Sequence, residues 1–242
     1  MRCLGAVLLC VAMSPLISAQ KNSPKTPPKE VEITAEPHHH LILQNEYVRV
    51  FSVEIDPRDA TLMHRHHHDY AYVVMGNAQL SNEVQGKPPA KLDVSDGQAN
   101  YSDGNFAHLV KNVGNTPFRN ITVEFLQDAK MRTDANSSDP APVNIRGGTE
   151  KVLFVKDGVR AVEVELQIAA VEGRHHHAGP HLVIALTDLS FRAENPDKSA
   201  TNMEMKAGEV KWIDGGITHT VTNVGSGPAK LVSFEFQPLN KQ

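Results

Sequence analysis

Short stretches of alternating apolar and polar residues recur along the chain. In residues 47–55, Phe51, Val53 and Ile55 fall on one face and Ser52 and Glu54 on the other, the period of a half-buried strand. Residues 159–166 copy the pattern, with Val162, Val164 and Leu166 inward. Residues 70–74 and 181–186 are apolar, β-rich runs that end at Gly76-Asn77 and Thr187-Asp188, both turn pairs. Residues 121–126 and 231–236 form late strands of the same kind. No segment keeps a 3.6-residue period over helical length. Many short strands with turn signals at near-regular spacing predict an all-β sandwich or barrel.

The strands occur as two copies. His64-x-His66 recurs as His175-x-His177, and His108 recurs as His219, a shift of 111 positions each time (64 to 175, 108 to 219). Val48/Val159, Arg49/Arg160, Gly97/Gly208, Asn112/Asn223, Glu124/Glu235 and Phe125/Phe236 match at that shift without a gap. A unit this long is a whole small domain, not a solenoid repeat. The expected division is residues 38–128 and 149–242, joined by the polar, Pro/Gly-rich stretch 129–148. Residues 20–37, rich in Pro, Lys and Glu, read as a disordered linker.

The first 19 residues read as a cleavable secretory signal. Arg2 is followed by a short apolar run, Pro15 and a small residue at Ala19. The run is too short to span a bilayer, which needs ~20 apolar residues. A periplasmic or secreted setting follows, with no membrane contact after cleavage. Both cysteines, Cys3 and Cys10, lie in that signal, so the mature chain has no disulfide and no thiolate ligand. With 242 residues, 40% hydrophobic, 21% charged and a net charge of −4, the chain shows no basic run for nucleic acid. The expected partner is a small-molecule substrate or ligand.

Chemistry enters with the histidines. Residues i and i+2 of a strand share a face, so His64 and His66 enter one space, as do His175 and His177. His181 keeps the same parity, and His108 and His219 arrive from distant strands. His67 and His176 are then outward. Converging imidazoles suit a divalent ion of Fe, Cu, Ni, Mn or Zn. The set is therefore His64, His66 and His108 in one half and His175, His177, His181 and His219 in the other, with one or two ions bound. His38-His39-His40 has no counterpart at 149–151 and reads as a solvated strand entry. Arg49 and Arg160 share parity with inward residues, and an inward guanidinium needs a carboxylate. It captures a substrate carboxylate, pairs internally, for instance with Glu54, Glu163 or Glu165, or lies exposed at the barrel mouth. Glu124 and Glu235 read as outward strand residues.

These motifs resemble the cupin family, whose first motif is His-x-His followed by a glutamate and whose second is a Gly-rich turn followed by His and Asn. The second appears as Gly97, Asp103, Asn105, His108 and Asn112, and again as Gly208, Asp214, Gly216, His219 and Asn223. The resemblance implies two tandem jelly-roll β-barrels, a bicupin, and a tendency to homo-oligomers. The family's glutamate ligand is absent from both copies. His181 holds its slot in the second half and Tyr70 in the first, or Asp69 if the alignment shifts by one; the gapless repeat favours Tyr70. Tyr70 is then a donor or gate beside an open coordination position, and Tyr70 and Arg49 are the candidate catalytic residues. Similar cupins include metal-dependent dioxygenases acting on enolisable substrates and oxalate-degrading bicupins, whose lid glutamate has no counterpart here. A non-catalytic binding module is the alternative.

Overall fold

The computed structural model describes residues 29–127 and 143–239. The predicted signal and most of the predicted connector lie outside them. Apart from one 3-10 turn, Ile33–Ala35, every regular element among the described residues is a strand. The first half holds β1 (Val31–Glu32), β2 (His39–Gln44), β3 (Val48–Ile55), β4 (His64–His66), β5 (Tyr70–Val74), β6 (Ala78–Val84), β7 (Ala90–Val94), β8 (Ala99–Ser102), β9 (Phe106–Asn112) and β10 (Phe118–Phe125). They form two five-stranded sheets, β1-β4-β9-β6-β7 and β2-β3-β10-β5-β8.

The second half holds β11 (Ile145–Lys156), β12 (Val159–His177), β13 (His181–Ala185), β14 (Leu189–Glu194), β15 (Ala200–Met205), β16 (Val210–Ile213), β17 (Ile217–Asn223) and β18 (Ala229–Phe236). These make one eight-stranded sheet, because β12 turns the corner between faces without a break. Its first part pairs with β18 and its last part with β17. In the first half Pro57 sits at this corner, and proline lacks the N–H a ladder needs; β3 and β4 are separate there. The matching residue is Ile168, which imposes no stop. The corner itself is the same. Arg58 (φ 71°) and Ala169 (φ 59°), 111 positions apart, both take the left-handed conformation.

Three cores result. Phe51, Val53, Ile55, Leu80 and Phe118 fill the first barrel, and Val162, Val164, Leu166, Phe191 and Leu231 fill the second. The third lies between them. Val48, Val50, Ala71, Val73, Ile121, Val123 and Phe125 pack on Val159, Ala161, Leu182, Ile184, Val232, Phe234 and Phe236, their counterparts. The central sheets are thus buried on both faces.

The asparagines of the second motif are structural. Asn112 donates to the carbonyls of Ile55 and Thr116 and accepts from the Gly114 N–H. Asn223 does the same with Leu166, Gly227 and Gly225. Residues 30–37, expected to be disordered, instead lie ordered along the barrel, with β1 parallel to β4.

Candidate metal centres

Strand register assembles the first site. β4 and β9 are antiparallel with His64 opposite His108, and directly opposed residues bring their Cβ atoms to ~5 Å. His66 follows two residues on and points the same way. His66 Nε2 and His108 Nε2 are 3.2 Å apart, and the His64 and His108 rings are 4.5 Å apart. The other ring nitrogen of each is held. His64 Nδ1 donates to the Leu62 carbonyl at 2.9 Å, His66 Nδ1 faces Glu124 Oε1 at 3.3 Å, and His108 Nδ1 bonds Asn82 Oδ1 at 2.9 Å. A carbonyl only accepts, so the His64 proton sits on Nδ1 and Nε2 keeps its lone pair. His64 Nε2 is buried with no hydrogen-bond partner. His39, from the start of β2, joins this group, and ligand nitrogens of His39, His64 and His66 lie within 4.8 Å of one another.

The second site repeats the scheme with less cover. His175 stands opposite His219. His175 Nδ1 donates to the Gly173 carbonyl at 2.8 Å, and its Nε2 is 2.9 Å from His177 Nε2 and 3.0 Å from His219 Nε2. All three residues are half-buried. A glutamate stands beside them, with Glu172 Oε1 4.0 Å from His175 Nε2.

Burial holds five of these rings below the ordinary imidazole value. It pushes His64 and His66 down to about 3, His177 to about 2 and His219 to about 4, and takes His108 well below the ordinary value. Neighbouring imidazoles add to the shift in each case. The Nε2 atoms of His66 and His108, of His175 and His177, and of His175 and His219 lie 3.2, 2.9 and 3.0 Å apart, the spacing of imidazoles that share either a proton or a cation. The orphaned His64 Nε2 and the nitrogen-only donor set therefore fit a divalent ion of the borderline class.

Five of the seven predicted histidine ligands fall in the two groups whose ligand atoms lie within 4.8 Å of one another, His64 and His66 with His39, and His175, His177 and His219. His108 stands outside the first group and meets it through His66, whose Nε2 is 3.2 Å from its own. His181 lies outside the group of His175, His177 and His219; its ring stacks on His177 at 4.1 Å and 20°. Tyr70, its counterpart, stacks on His66 at 3.9 Å and 13°. Its hydroxyl bonds Ser102, and burial raises it to about 12. The glutamate slot thus holds a ring that braces the second histidine in both halves.

Arg49 pairs internally, but with Glu124 (3.2 Å) and not with the three glutamates named from parity. Arg160 likewise pairs with Glu235 at 2.8 Å and Glu150 at 2.6 Å. Reading Glu124 and Glu235 as outward was wrong for Glu124, which is fully buried, and Glu235 is largely covered. The rows Arg49–Glu124–Tyr70 and Arg160–Glu235–His181 run straight across three strands. His39 was also missed as a solvated residue. No sequence signal marked it: its place opposite Val53, an inward position, comes from the register of β2 on β3. His67 and His176 are outward as expected, on Glu32 and Thr218.

A cavity of about 70 Å³ opens above the first site. His39, His64, His66 and His108 line it together with Tyr70, Tyr72, Asn82, Asn120 and Thr122 and the apolar Val53, Ile55 and Phe118. Arg49 does not line it.

The fold is similar to that of an oxalate decarboxylase (TM-score 0.58, 12% identity, 82% of this chain and 71% of the other). It is also similar to the oxalate decarboxylase of Bacillus subtilis, a protein with Mn(II) centres (TM-score 0.55, 11% identity, 82% and 71%). A third likeness is to a cupin 2 conserved barrel domain protein from Leptotrichia buccalis (TM-score 0.50, 14% identity, 82% and 88%). The chain therefore has the all-β cupin fold. No protein-family model and no curated protein matches its sequence.

Proposed function

We propose that the chain is an exported, metal-dependent bicupin whose first barrel oxidises a small anionic or enolisable molecule by dioxygenase-type chemistry. The observation that carries this reading is the gathering of His64, His66 and His108 around one cavity, with His66 Nε2 3.2 Å from His108 Nε2 and His64 Nε2 buried without a partner. The cavity, about 70 Å³, is roughly half of the ~150 Å³ that admits benzene. That space suits the group of a substrate that reaches the ion, a few non-hydrogen atoms such as a carboxylate or a diketone end. Neutral imidazoles leave the ion's charge undiminished, and no Lys or Arg lines the cavity, so an anion would answer to the ion alone. A bound divalent ion would supply Lewis-acid stabilisation of a substrate oxygen. Glu124 and the Leu62 carbonyl fix ring orientation and tautomer, and Val53, Ile55 and Phe118 keep the cavity dry.

A second reading is favoured by one observation: no carboxylate lines the cavity to move a proton. That suits a binding module without turnover. The export signal (residues 1–19) lies outside the described residues and supports a periplasmic or secreted setting.

The test is metal content and turnover of the purified chain. Loaded with Fe(II), Mn(II) or Cu(II), it should consume oxygen with one of a panel of small 2-oxo acids, enolisable diketones and oxalate. His66→Ala should abolish uptake, and His177→Ala should remove only the second-barrel ion. Calorimetric binding without product supports the module. Oxalate converted to formate and CO2 without net oxygen consumption supports decarboxylation. A chain that binds no ion overturns the proposal.

A further inference from the structure

The first site has a donor outside the repeated unit. His39 has a side chain only 5% exposed and a ring centroid 4.6 Å from that of His64. Its Nδ1 bonds Glu36 Oε2 at 2.6 Å, so the nitrogen left for the cluster is Nε2, as in His64 and His108. Glu36 itself is fully buried. Such a carboxylate persists only when its oxygens are satisfied. Glu36 accepts from the backbone N–H of His38 (2.9 Å) and of Leu62 (3.0 Å), besides the two imidazoles of His38 (3.1 Å) and His39. Leu62 is the residue whose carbonyl holds His64 Nδ1. One residue, through its N–H and its carbonyl, thus ties both rings to a common frame.

The segment that brings Glu36 and His39 is fastened along its length. The Val31 N–H donates to the Met63 carbonyl at 2.9 Å, Arg65 Nη2 donates to Glu30 Oε2 at 3.0 Å, His67 meets Glu32 at 2.9 Å, and Ile33 is buried in the first core. In the second repeat the described part of the matching segment also pairs with the site strand, Ile145 opposite Glu172 and Arg146 opposite Val171, but it brings no histidine to the site. The positions matching Glu36 and His39 are Gly147 and Glu150, and Glu150 is spent on Arg160.

We propose that residues 30–40 form a strap that delivers His39 as a fourth imidazole ligand to the first-barrel ion, with Glu36 as its positioning residue. The inference rests on the metal reading above. It makes the two sites unequal: four imidazoles in the first, and three with Glu172 nearby in the second. The all-nitrogen site favours Cu(II), Co(II) or Zn(II) over Mn(II). It also makes occupancy of the first barrel depend on docking of the N-terminal strap.

The experiment uses the full chain carrying His177→Ala, which silences the second site, titrated with Co(II) and followed by visible absorption. X-ray absorption of the Co(II)-loaded protein should count four imidazoles; three overturns the proposal without requiring any change at His39. Adding His39→Gln should weaken Co(II) binding at least tenfold and shift the absorption bands. Glu36→Gln should weaken it ~10–100-fold, the usual effect of losing a partner that orients a ligand, with the four-imidazole count kept at saturation. His108→Ala is the reference. If it loses the ion while His39→Gln titrates like its parent, the strap proposal fails and the metal site stands. If His108→Ala also retains the ion unchanged, the metal reading fails and the inference falls with it.

Discussion

His64 shows how one residue joins stability to chemistry. Its Nδ1 is held by a backbone carbonyl and its ring is sealed from water, so protonation would place a charge where nothing accepts it. Burial likewise depresses His66, His177, His181 and His219, to between about 2 and about 4. In the unfolded chain these groups titrate near ~6.5. Between those limits the unfolded state binds more protons, so stability rises with pH. The metal-free protein should therefore be fully stable above about pH 6.5 and lose stability as pH falls toward 4. Urea midpoints at pH 8, 6 and 4.5 measure this, and a flat profile would contradict the burial. The His-x-His pairs were legible because two residues of one strand share a face whatever the fold. Glu124 was not. Seven of the eight β10 residues are buried, so alternation carried no inward or outward signal there. Its partner Arg49 pointed to a buried carboxylate, but only the register of β3 on β10 says which one.

The elements differ between the halves at one corner, and the sequence explains it. Pro57 ends β3, whereas Ile168 lets β12 run for 19 residues. Both corners still need a left-handed residue. Ala169 fills that position in the second half while exposed to solvent. A left-handed L-residue costs ~1–2 kcal/mol, and glycine avoids that at an entropic cost of ~0.5–1 kcal/mol. Ala169→Gly should stabilise the protein by about 0.5 kcal/mol, and Ala169→Val should destabilise it, since β-branching is poorly tolerated there. Chemical denaturation of the two variants reads the difference, and a destabilising Ala169→Gly would show the corner to be unstrained. The strap was misread at this scale. Its Pro/Lys/Glu composition upstream extended the linker reading to residue 37, although Val31 and Ile33 alternate with acidic or polar neighbours.

At the scale of the molecule, duplication was legible and the packing of its products was not. The 111-residue shift announces two copies (64 to 175) but says nothing of which faces meet. The structure joins them through matched positions, with Phe125 edge-on to Phe234 at 6.2 Å and to Phe236 at 6.0 Å. Phe234→Ala should cost about 3–5 kcal/mol, and the whole chain should still unfold in one calorimetric transition. Two resolved transitions would mean that the shared core does not couple the halves. The coupling has a further implication. Each half is the other's missing wall, so the C-terminal copy keeps its worth as a buttress whether or not anything ever binds in it. Its histidine group is then free to change chemistry, but its back is not free to change shape.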